Sequence, residues 1–129
     1  DGPSQVFVAK QAGKAVGWVF ESTAPNGYGG KIRLLVGIDR DGRVTGVRVV
    51  SHKETPGLGD YIDIGKSDWI KGFDGQSLER PDAWRVRKDG GQFDYMAGAT
   101  ITPRAVVAAV ARTLAFFHDY RAELAGSTR

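Results

Sequence analysis

Two threonine hydroxyls stand beside small residues immediately before the longest helical pattern of the chain, in the segment Gly98-Ala99-Thr100-Ile101-Thr102-Pro103. Thr102 is a good N-cap residue, and Pro103 suits the first helical position, where no N–H is needed. Gly98 and Ala99 add almost no bulk before the helix. A helix N-terminus also offers unpaired N–H groups and the positive end of its dipole, which favour a phosphate group. The segment therefore predicts either a phosphate site or a simple helix cap.

A second candidate is the loop 52–60, which follows a β-rich region and contains one proline and two glycines. Proline and glycine give a loop a defined shape, and this loop contains one isolated apolar side chain, Leu58. Gly57 and Gly59 predict either positive φ or a close approach of the backbone to a flat ligand. In the alternative interpretation the loop is a solvated connector, Leu58 plugs the sheet and the glycines only make turns.

Both segments resemble one known family. Asp94-x-x-Ala97-Gly98-Ala99-Thr100 is similar to the pattern Asp-x-x-Ser/Thr-Gly-Ala-Thr, with Ala97 in place of the family's Ser or Thr. Glu-Thr-Pro-Gly-Leu-Gly at 54–59 stands letter for letter as in that family, the FMN-binding domain of the G subunit of the Rnf electron-transport complex and the C subunit of the sodium-pumping NADH:quinone oxidoreductase. The resemblance extends from about Gly27 to about Val110 and includes Gly27-Tyr28-Gly29-Gly30 and Leu35-Val36-Gly37-Ile38-Asp39.

The resemblance implies a covalent FMN, joined through its phosphate to the hydroxyl of Thr100. A helix dipole contributes only roughly 0.3–1 kcal/mol to anion binding, so a covalent bond would hold the cofactor where the dipole alone would not. The implied phosphate partners and ring contacts are Thr102, Ala99, Gly98 and Ile101 at the helix start, and Glu54, Thr55, Gly57, Leu58 and Gly59 in the loop. Ala97 either costs one hydrogen bond to the phosphate, about 0.5–1.5 kcal/mol, or replaces a residue that only caps backbone.

The resemblance also implies a function. The chain would be an electron-transfer flavoprotein domain of a membrane ion-translocating redox complex, with no substrate chemistry of its own and no catalytic residue. Its partners would be the other subunits and a flavin transferase, and the domain would lie on the periplasmic face of the inner membrane. Two alternatives remain: a flavin-dependent reductase, for which no nicotinamide-binding fingerprint is present, and a binding module of the same fold without a cofactor.

The elements that position these segments can be read from the local patterns. Residues 5–10 and 15–21 predict a β-hairpin, residues 22–30 a loop, and residues 31–39 and 44–51 a second hairpin around an Asp-Gly turn. The consecutive apolar residues of 34–38 predict a central strand covered on both faces. A short helix within 61–70, with Trp69 and Phe73 as core anchors, and a strand at 84–88 complete the region before the flavin pattern.

The last element is a helix from Arg104, whose apolar side chains recur at helical spacing at Val106, Val110, Leu114 and Phe117. Residues 122–129 lose apolar content and are expected to fray. The order of elements predicts an α+β fold, a mainly antiparallel sheet packed against one long C-terminal helix and a short helix.

Composition bounds the remaining possibilities. The chain of 129 residues is long enough for one domain, predicted to cover 1–129, and its charged fraction of 26% is ordinary for a globular protein. The net charge of +3 is spread along the sequence, so no nucleic-acid partner is expected. There is no cysteine, and two histidines alone do not make a metal site. No run of about 18 apolar residues occurs, so this part of the protein is not expected to enter a membrane, although we expect an N-terminal anchor to precede it.

Overall fold

The computed structural model describes residues 3–126. Within them, four strands form one antiparallel sheet in sequence order: β1 (Gln5–Gln11), β2 (Lys14–Ala24), β3 (Ile32–Asp39) and β4 (Val44–Ser51). The long helix α1 (Ile101–Asp119) and the short helix α2 (Arg121–Gly126) end this part of the chain. The predicted α+β class is confirmed. Among the described helices, none is both long and apolar enough to cross a membrane.

Both predicted hairpins are present. Gln11 pairs with Lys14 around a two-residue turn, and the turn between β3 and β4 is held by Asp39, whose Oδ1 accepts the N–H groups of Asp41 and Arg43 at 2.9 and 3.0 Å. The predicted loop 22–30 is wrong in its first part, because β2 continues to Ala24. Its extra residues pair with the start of β3, so the sheet reaches further towards the helix start than the sequence indicated.

The core lies between one face of the sheet and α1. Alternate residues of β2 and β3 point inwards and are fully buried, as are the apolar residues of α1 that the helical spacing predicted: Phe20, Leu34, Val36, Ile38, Val106, Val110, Leu114 and Phe117. The expectation that β3 is covered on both faces is wrong. Leu35 faces away from α1 and is only half-buried, between its cross-strand neighbours Glu21 and Arg48.

The connection from β4 to α1 contains four short 3₁₀ helices, Gly59–Ile62, Trp69–Phe73, Pro81–Ala83 and Arg87–Asp89. The predicted helix at 61–70 and strand at 84–88 are therefore wrong. Trp84 and Val86 are buried and Arg85 is exposed, which gives a strand-like alternation without a strand. Phe73 is fully buried and Trp69 packs on the core, so both predicted anchors are confirmed.

The start and end of the helical region also differ from the predictions. Thr102 is not the N-cap: α1 begins at Ile101, and Thr100 precedes it with φ −85° and ψ −27°. The C-terminal tail was expected to fray from 122, but α2 includes Arg121–Gly126 and Leu124 packs against the core. Residues 127–129 lie outside the described part of the chain.

Candidate functional site

A cavity of about 310 Å³ lies at the N-terminal end of α1, where three loops meet. Eight of the ten residues predicted for the site line it, although the two predicted segments are some forty residues apart in sequence. The lining residues are Tyr28, Thr55, Leu58, Gly59, Gly98, Ala99, Thr100, Ile101 and Thr102. Glu54 and Gly57 do not line the cavity. Tyr28, which was not predicted as a site residue, does.

The turn before α1 is held in place by a buried tyrosine. The N–H of Ala99 bonds the carbonyl of Met96 at 2.9 Å, and Gly98 has a φ of +85°, which the third position of such a turn favours in glycine. Tyr61 donates its hydroxyl to the carbonyl of Ala99 at 3.0 Å and accepts the N–H of Met96 at 3.2 Å. The two hydrogen bonds of Tyr61 therefore hold the part of the cavity wall that contains Ala99. Burial raises the pKa of Tyr61, so the hydroxyl keeps its proton at neutral pH.

The start of α1 supplies polar groups to the cavity. The carbonyl of Thr100 accepts the N–H of Arg104 at 3.2 Å, the first bond of the helix. The N–H groups of Ile101 and Thr102 come before it and have no acceptor within the helix, and Pro103 has no N–H. Thr100 is half-buried on the cavity wall. A hydroxyl and two backbone N–H groups are thus within one helical turn of each other.

Glu54 connects the loops behind the cavity. Its side chain is 5% exposed. Oε1 accepts the N–H of Tyr28 at 3.0 Å and Oε2 accepts the N–H of Gly29 at 2.8 Å. The hydroxyl of Thr102 donates to Oε1 in a short hydrogen bond. One carboxylate thus joins the loop after β2, the loop after β4 and the first turn of α1.

This arrangement limits what Thr102 can offer a ligand. A threonine hydroxyl has one proton, and that of Thr102 is directed to the Glu54 carboxylate. Thr102 can therefore contribute its backbone N–H to an anion in the cavity but not its hydroxyl proton. No such bond from Thr100 is present among the described residues, so its hydroxyl remains available on the cavity wall.

The two glycines of the 52–60 loop are required for different reasons, and only positive φ was among those predicted. Gly57 has a φ of +80° in a tight turn that is closed by the side chain of Asp60. Gly59 is buried, and a Cβ there would lie 2.6 Å from Thr102 Oγ1 and 3.2 Å from Glu54 Cβ. The close approach is thus between the loop and α1, and it brings the backbone of the loop onto the cavity wall.

The rim of the cavity is apolar and exposed. Leu58 is 49% exposed, Tyr28 70% and Ile101 47%, and Met96 is 44% exposed in the neighbouring turn. Leu58 therefore does not plug the sheet, so that part of the alternative interpretation is wrong; a solvated connector would expose Leu58 as well. Large apolar side chains grouped at the mouth of a cavity are typical of a ligand site or an interface.

Several charged and titratable groups in the same segments of the chain do not line the cavity. Arg104 forms a two-point ion pair with Asp89, both bonds 2.7 Å long, and these bonds lower the pKa of Asp89. Asp94 of the flavin pattern pairs with Arg87 at 2.9 Å. His52 Nδ1 accepts the N–H of Glu54 at 3.0 Å, which places the proton of the neutral ring on Nε2, the atom facing Asp63. Nowhere in residues 3–126 do three or more histidine or acidic side chains converge as a metal site would require.

Tyr28 and Tyr61 are the site residues that sequence reasoning missed. Tyr28 had a signal, because it stands within the Gly27-Tyr28-Gly29-Gly30 stretch that contributed to the family resemblance. Tyr61 had none, since its two bonds join it to residues 35 and 38 positions away.

Comparison with known proteins assigns the chain to a family. The FMN-binding domain model matches residues 27–115. The chain is 55% identical over 120 residues to the G subunit of the ion-translocating oxidoreductase complex of Shewanella loihica, covering 92% of this chain and 57% of the relative. The G subunits of Pseudomonas aeruginosa and Vibrio cholerae are 55% and 48% identical over 126 and 124 residues, 96% and 95% of this chain and 59% of each relative. The chain thus spans less than two thirds of the length of these relatives.

Two solved structures share the fold. Shewanella oneidensis NqrC superposes with a TM-score of 0.71 at 26% identity, covering 91% of this chain and 60% of that one. The C subunit of the Na(+)-translocating NADH-quinone reductase of Parabacteroides distasonis gives a TM-score of 0.64 at 24% identity, covering 89% and 61%.

Proposed function

The chain belongs to the FMN-binding domain family, and from this premise we propose that it is the FMN-carrying electron-transfer domain of the G subunit of an ion-translocating oxidoreductase complex. The observation that carries the proposal is the cavity at the start of α1. It brings the hydroxyl of Thr100, two backbone N–H groups and an apolar rim together at the family's sequence pattern. FMN, when bound, supplies the electron-transfer chemistry.

The residues present suit the two parts of FMN. Phosphate is favoured at a helix N-terminus, where the N–H groups of Ile101 and Thr102 and the dipole of a 19-residue helix are available. A flavin ring needs apolar surface with a few polar groups at its edge, and Leu58 and Tyr28 offer the first while Thr55 offers a hydroxyl and an N–H. At about 310 Å³ the cavity is at the lower end of the usual range for small-molecule sites. A flavin held there would thus stay accessible to a redox partner.

The bond that retains FMN is proposed to be a phosphoester to Thr100 Oγ1. A phosphate monoester does not esterify an alcohol in water without activation, so a transferase and a flavin dinucleotide donor are required. Oγ1 forms the new bond to the FMN phosphorus, the hydroxyl loses its proton, and a nucleoside monophosphate leaves. Thr100 is favoured over Thr102 because the hydroxyl of Thr102 is committed to Glu54.

In this proposal residues 1–129 form a single FMN-binding domain that passes electrons between other subunits and has no catalytic residue of its own. The names of the relatives support a membrane-associated complex. We propose that the domain lies on the periplasmic face of the inner membrane. Glu54 and Gly57 have supporting roles in the site, behind the cavity and in the turn that presents Leu58.

The experiment that tests the proposal compares two isosteric variants, Thr100→Val and Thr102→Val, each co-expressed with the flavin transferase. Unmodified protein should be yellow after acid precipitation, and peptide mass spectrometry should place the FMN mass on Thr100. Thr100→Val should be colourless, whereas Thr102→Val should retain the covalent flavin. Covalent flavin in Thr100→Val would refute the assignment. An unlabelled native chain that also fails to bind free FMN would instead favour a binding module without cofactor.

A further inference from the structure

A second cavity, of about 670 Å³, lies at the opposite end of α1 from the flavin site. The helix has 19 residues and therefore separates the two ends by about 28 Å. The cavity is formed by the β1–β2 turn, the β3–β4 turn and α2, with Trp18 of β2 in its wall. Its lining residues are Gly13, Lys14, Ala15, Trp18, Arg40, Asp41, Arg121 and Ala125.

The indole of Trp18 differs from the other two indoles of the chain. Trp69 Nε1 donates to the carbonyl of Asp94 at 2.8 Å, and Trp84 Nε1 donates to the carbonyl of Ser77 at 2.7 Å. Trp18 is 4% exposed, and its Nε1 is buried without a hydrogen-bond partner among the described residues. A buried donor without an acceptor is costly, and in folded proteins such a donor is often completed by a bound ion or water.

The charged groups of this cavity are mostly cationic. Among the described residues, Lys14, Arg40 and Arg121 line it together with a single carboxylate, Asp41, which leaves an excess of two positive charges. The side chains of Lys14 and Arg40 make no ion pair or hydrogen bond within residues 3–126. Arg121 donates to the backbone carbonyl of Arg40 and lies 5.6 Å from the centre of the Phe117 ring. It is thus positioned at the cavity, and no carboxylate in residues 3–126 forms an ion pair with it.

From these two observations we propose that this cavity binds a phosphate monoester, with Lys14, Arg40 and Arg121 holding the oxyanion and the indole N–H of Trp18 as a further donor. A monoester carries close to two negative charges at neutral pH, which matches the excess positive charge of the cavity. Arginine and lysine side chains are common partners of phosphate oxygens. Trp18 Nε1 is fully buried, so a direct bond to it requires movement of the cavity wall.

The phosphate can belong to a soluble small molecule or to the headgroup of a lipid such as phosphatidic acid, and the two sources share the same chemistry. The site is independent of the flavin site, and its test does not depend on flavin attachment.

The test uses the ¹⁵N-labelled 129-residue chain, whose three tryptophans give three indole N–H resonances. Trp18→Phe identifies the Trp18 resonance by its loss. Inorganic phosphate should shift this resonance saturably, together with the amides of Lys14 and Arg40, whereas sodium chloride at equal ionic strength should not. The double variant Lys14→Gln/Arg40→Gln should weaken phosphate binding roughly tenfold or more, since charge-assisted hydrogen bonds are lost.

A matched control, Lys31→Gln/Lys66→Gln, removes two exposed positive charges elsewhere and should bind phosphate as the native chain does. Equal weakening in both double variants, or equal shifts with chloride and phosphate, would overturn the proposal, as would no shift of the Trp18 resonance. Sedimentation with phosphatidylcholine vesicles, with and without phosphatidic acid, separates the two sources. If the native chain sediments only with vesicles that contain phosphatidic acid, and the Lys14→Gln/Arg40→Gln variant does not, the ligand is the lipid headgroup. If the chain binds phosphate but sediments with neither kind of vesicle, the ligand is a soluble monoester.

Discussion

Replacement of Glu54 by glutamine should destabilise the chain even in the absence of flavin, because the carboxylate accepts three protein hydrogen bonds. These come from the N–H groups of Tyr28 and Gly29 and from the hydroxyl of Thr102. Glutamine has nearly the same shape, but only one of its two terminal atoms is an acceptor. The substitution therefore changes hydrogen bonding and charge with little change in packing.

The expected magnitude follows from the geometry. Oε1 of Glu54 receives two of the three bonds, so the amide oxygen of glutamine is best placed there. The NH₂ group then faces the N–H of Gly29, which loses its acceptor. A lost hydrogen bond to a charged group costs about 1.5–3 kcal/mol. The NH₂ group of glutamine and the N–H of Gly29 are both donors and add a further unfavourable contact. We therefore expect a loss of about 2–3 kcal/mol in the free energy of unfolding and a fall of roughly 6–12 °C in the melting temperature.

Urea and thermal unfolding of flavin-free protein, followed by far-ultraviolet circular dichroism, measure this loss. The matched control is Glu79→Gln, since the Glu79 side chain is 77% exposed and meets Arg43 only at 3.7 Å, and its effect should stay within about 0.5 kcal/mol. A double-mutant cycle with Thr102→Val should give a coupling energy of about 1 kcal/mol. If Glu54→Gln unfolds like the native chain, or if the cycle shows no coupling, Glu54 does not hold the loops together as described.

Three further substitutions test the same site. Gly59→Ala should cost about 1–3 kcal/mol by chemical denaturation, because its Cβ would lie 2.6 Å from Thr102 Oγ1, while Gly72→Ala, whose Cβ meets nothing within 4 Å, should be close to neutral. Leu58→Ala should change the fluorescence and reduction potential of bound flavin, while the unfolding of flavin-free protein should change little because Leu58 is 49% exposed; an undisturbed flavin signal would refute the contact with the ring. Tyr61→Phe should loosen the turn before α1. Burial raises the pKa of Tyr61, so its neutral hydroxyl contributes stability that is present below about pH 10 and is lost as the pH rises through the folded-state pKa. Tyr61→Phe has no hydroxyl to ionise and should not show this loss of stability at alkaline pH. An unchanged alkaline transition in Tyr61→Phe would count against that assignment.

The sheet was predictable because its signals are local. The Asp-Gly turn before β4 and the short turn after β1 specify two hairpins by their own residues, and β4 has the predicted bounds of Val44–Ser51. The end of β2 was missed because it depends on a distant partner. Ser22 looked like the start of a loop, but its hydroxyl is buried against that of Thr113, 2.8 Å away and 91 residues later.

The region between β4 and α1 was predicted worst, for a related reason. Its residues are ordered by an aromatic cluster, in which the ring of Phe73 lies 5.9 Å from that of Trp84 and 4.7 Å from that of Phe93. Such packing fixes short 3₁₀ turns whose buried residues follow neither helical nor strand spacing regularly. Periodicity alone therefore assigned one continuous helix where the chain forms two separate 3₁₀ helices, and a strand where it forms none.

At the candidate site, most of the lining residues could be predicted from the sequence, but the hydrogen bonds and contacts between them could not. Thr102 was predicted as an N-cap from its neighbour Pro103, a local rule that was overridden by a hydrogen bond to Glu54, 48 residues away. The same bond explains why glycine is needed at position 59, where the loop and the helix approach most closely. The family resemblance selected both segments, and only the fold shows that one carboxylate joins them.

The replacement of the family's Ser or Thr by Ala97 can be assessed from the turn before α1. Ala97 is exposed and does not line the cavity. The turn is closed without its side chain, by the bond from the Ala99 N–H to the Met96 carbonyl and by the two bonds of Tyr61. A hydroxyl at this position is therefore not required to shape the backbone that presents Thr100. If Ala97→Ser raises neither the stability of flavin-free protein nor the yield of covalent flavin, the turn as it stands is sufficient to present Thr100 for flavin attachment. A higher yield at equal stability would mean that the hydroxyl of the family pattern contacts the phosphate or the transferase.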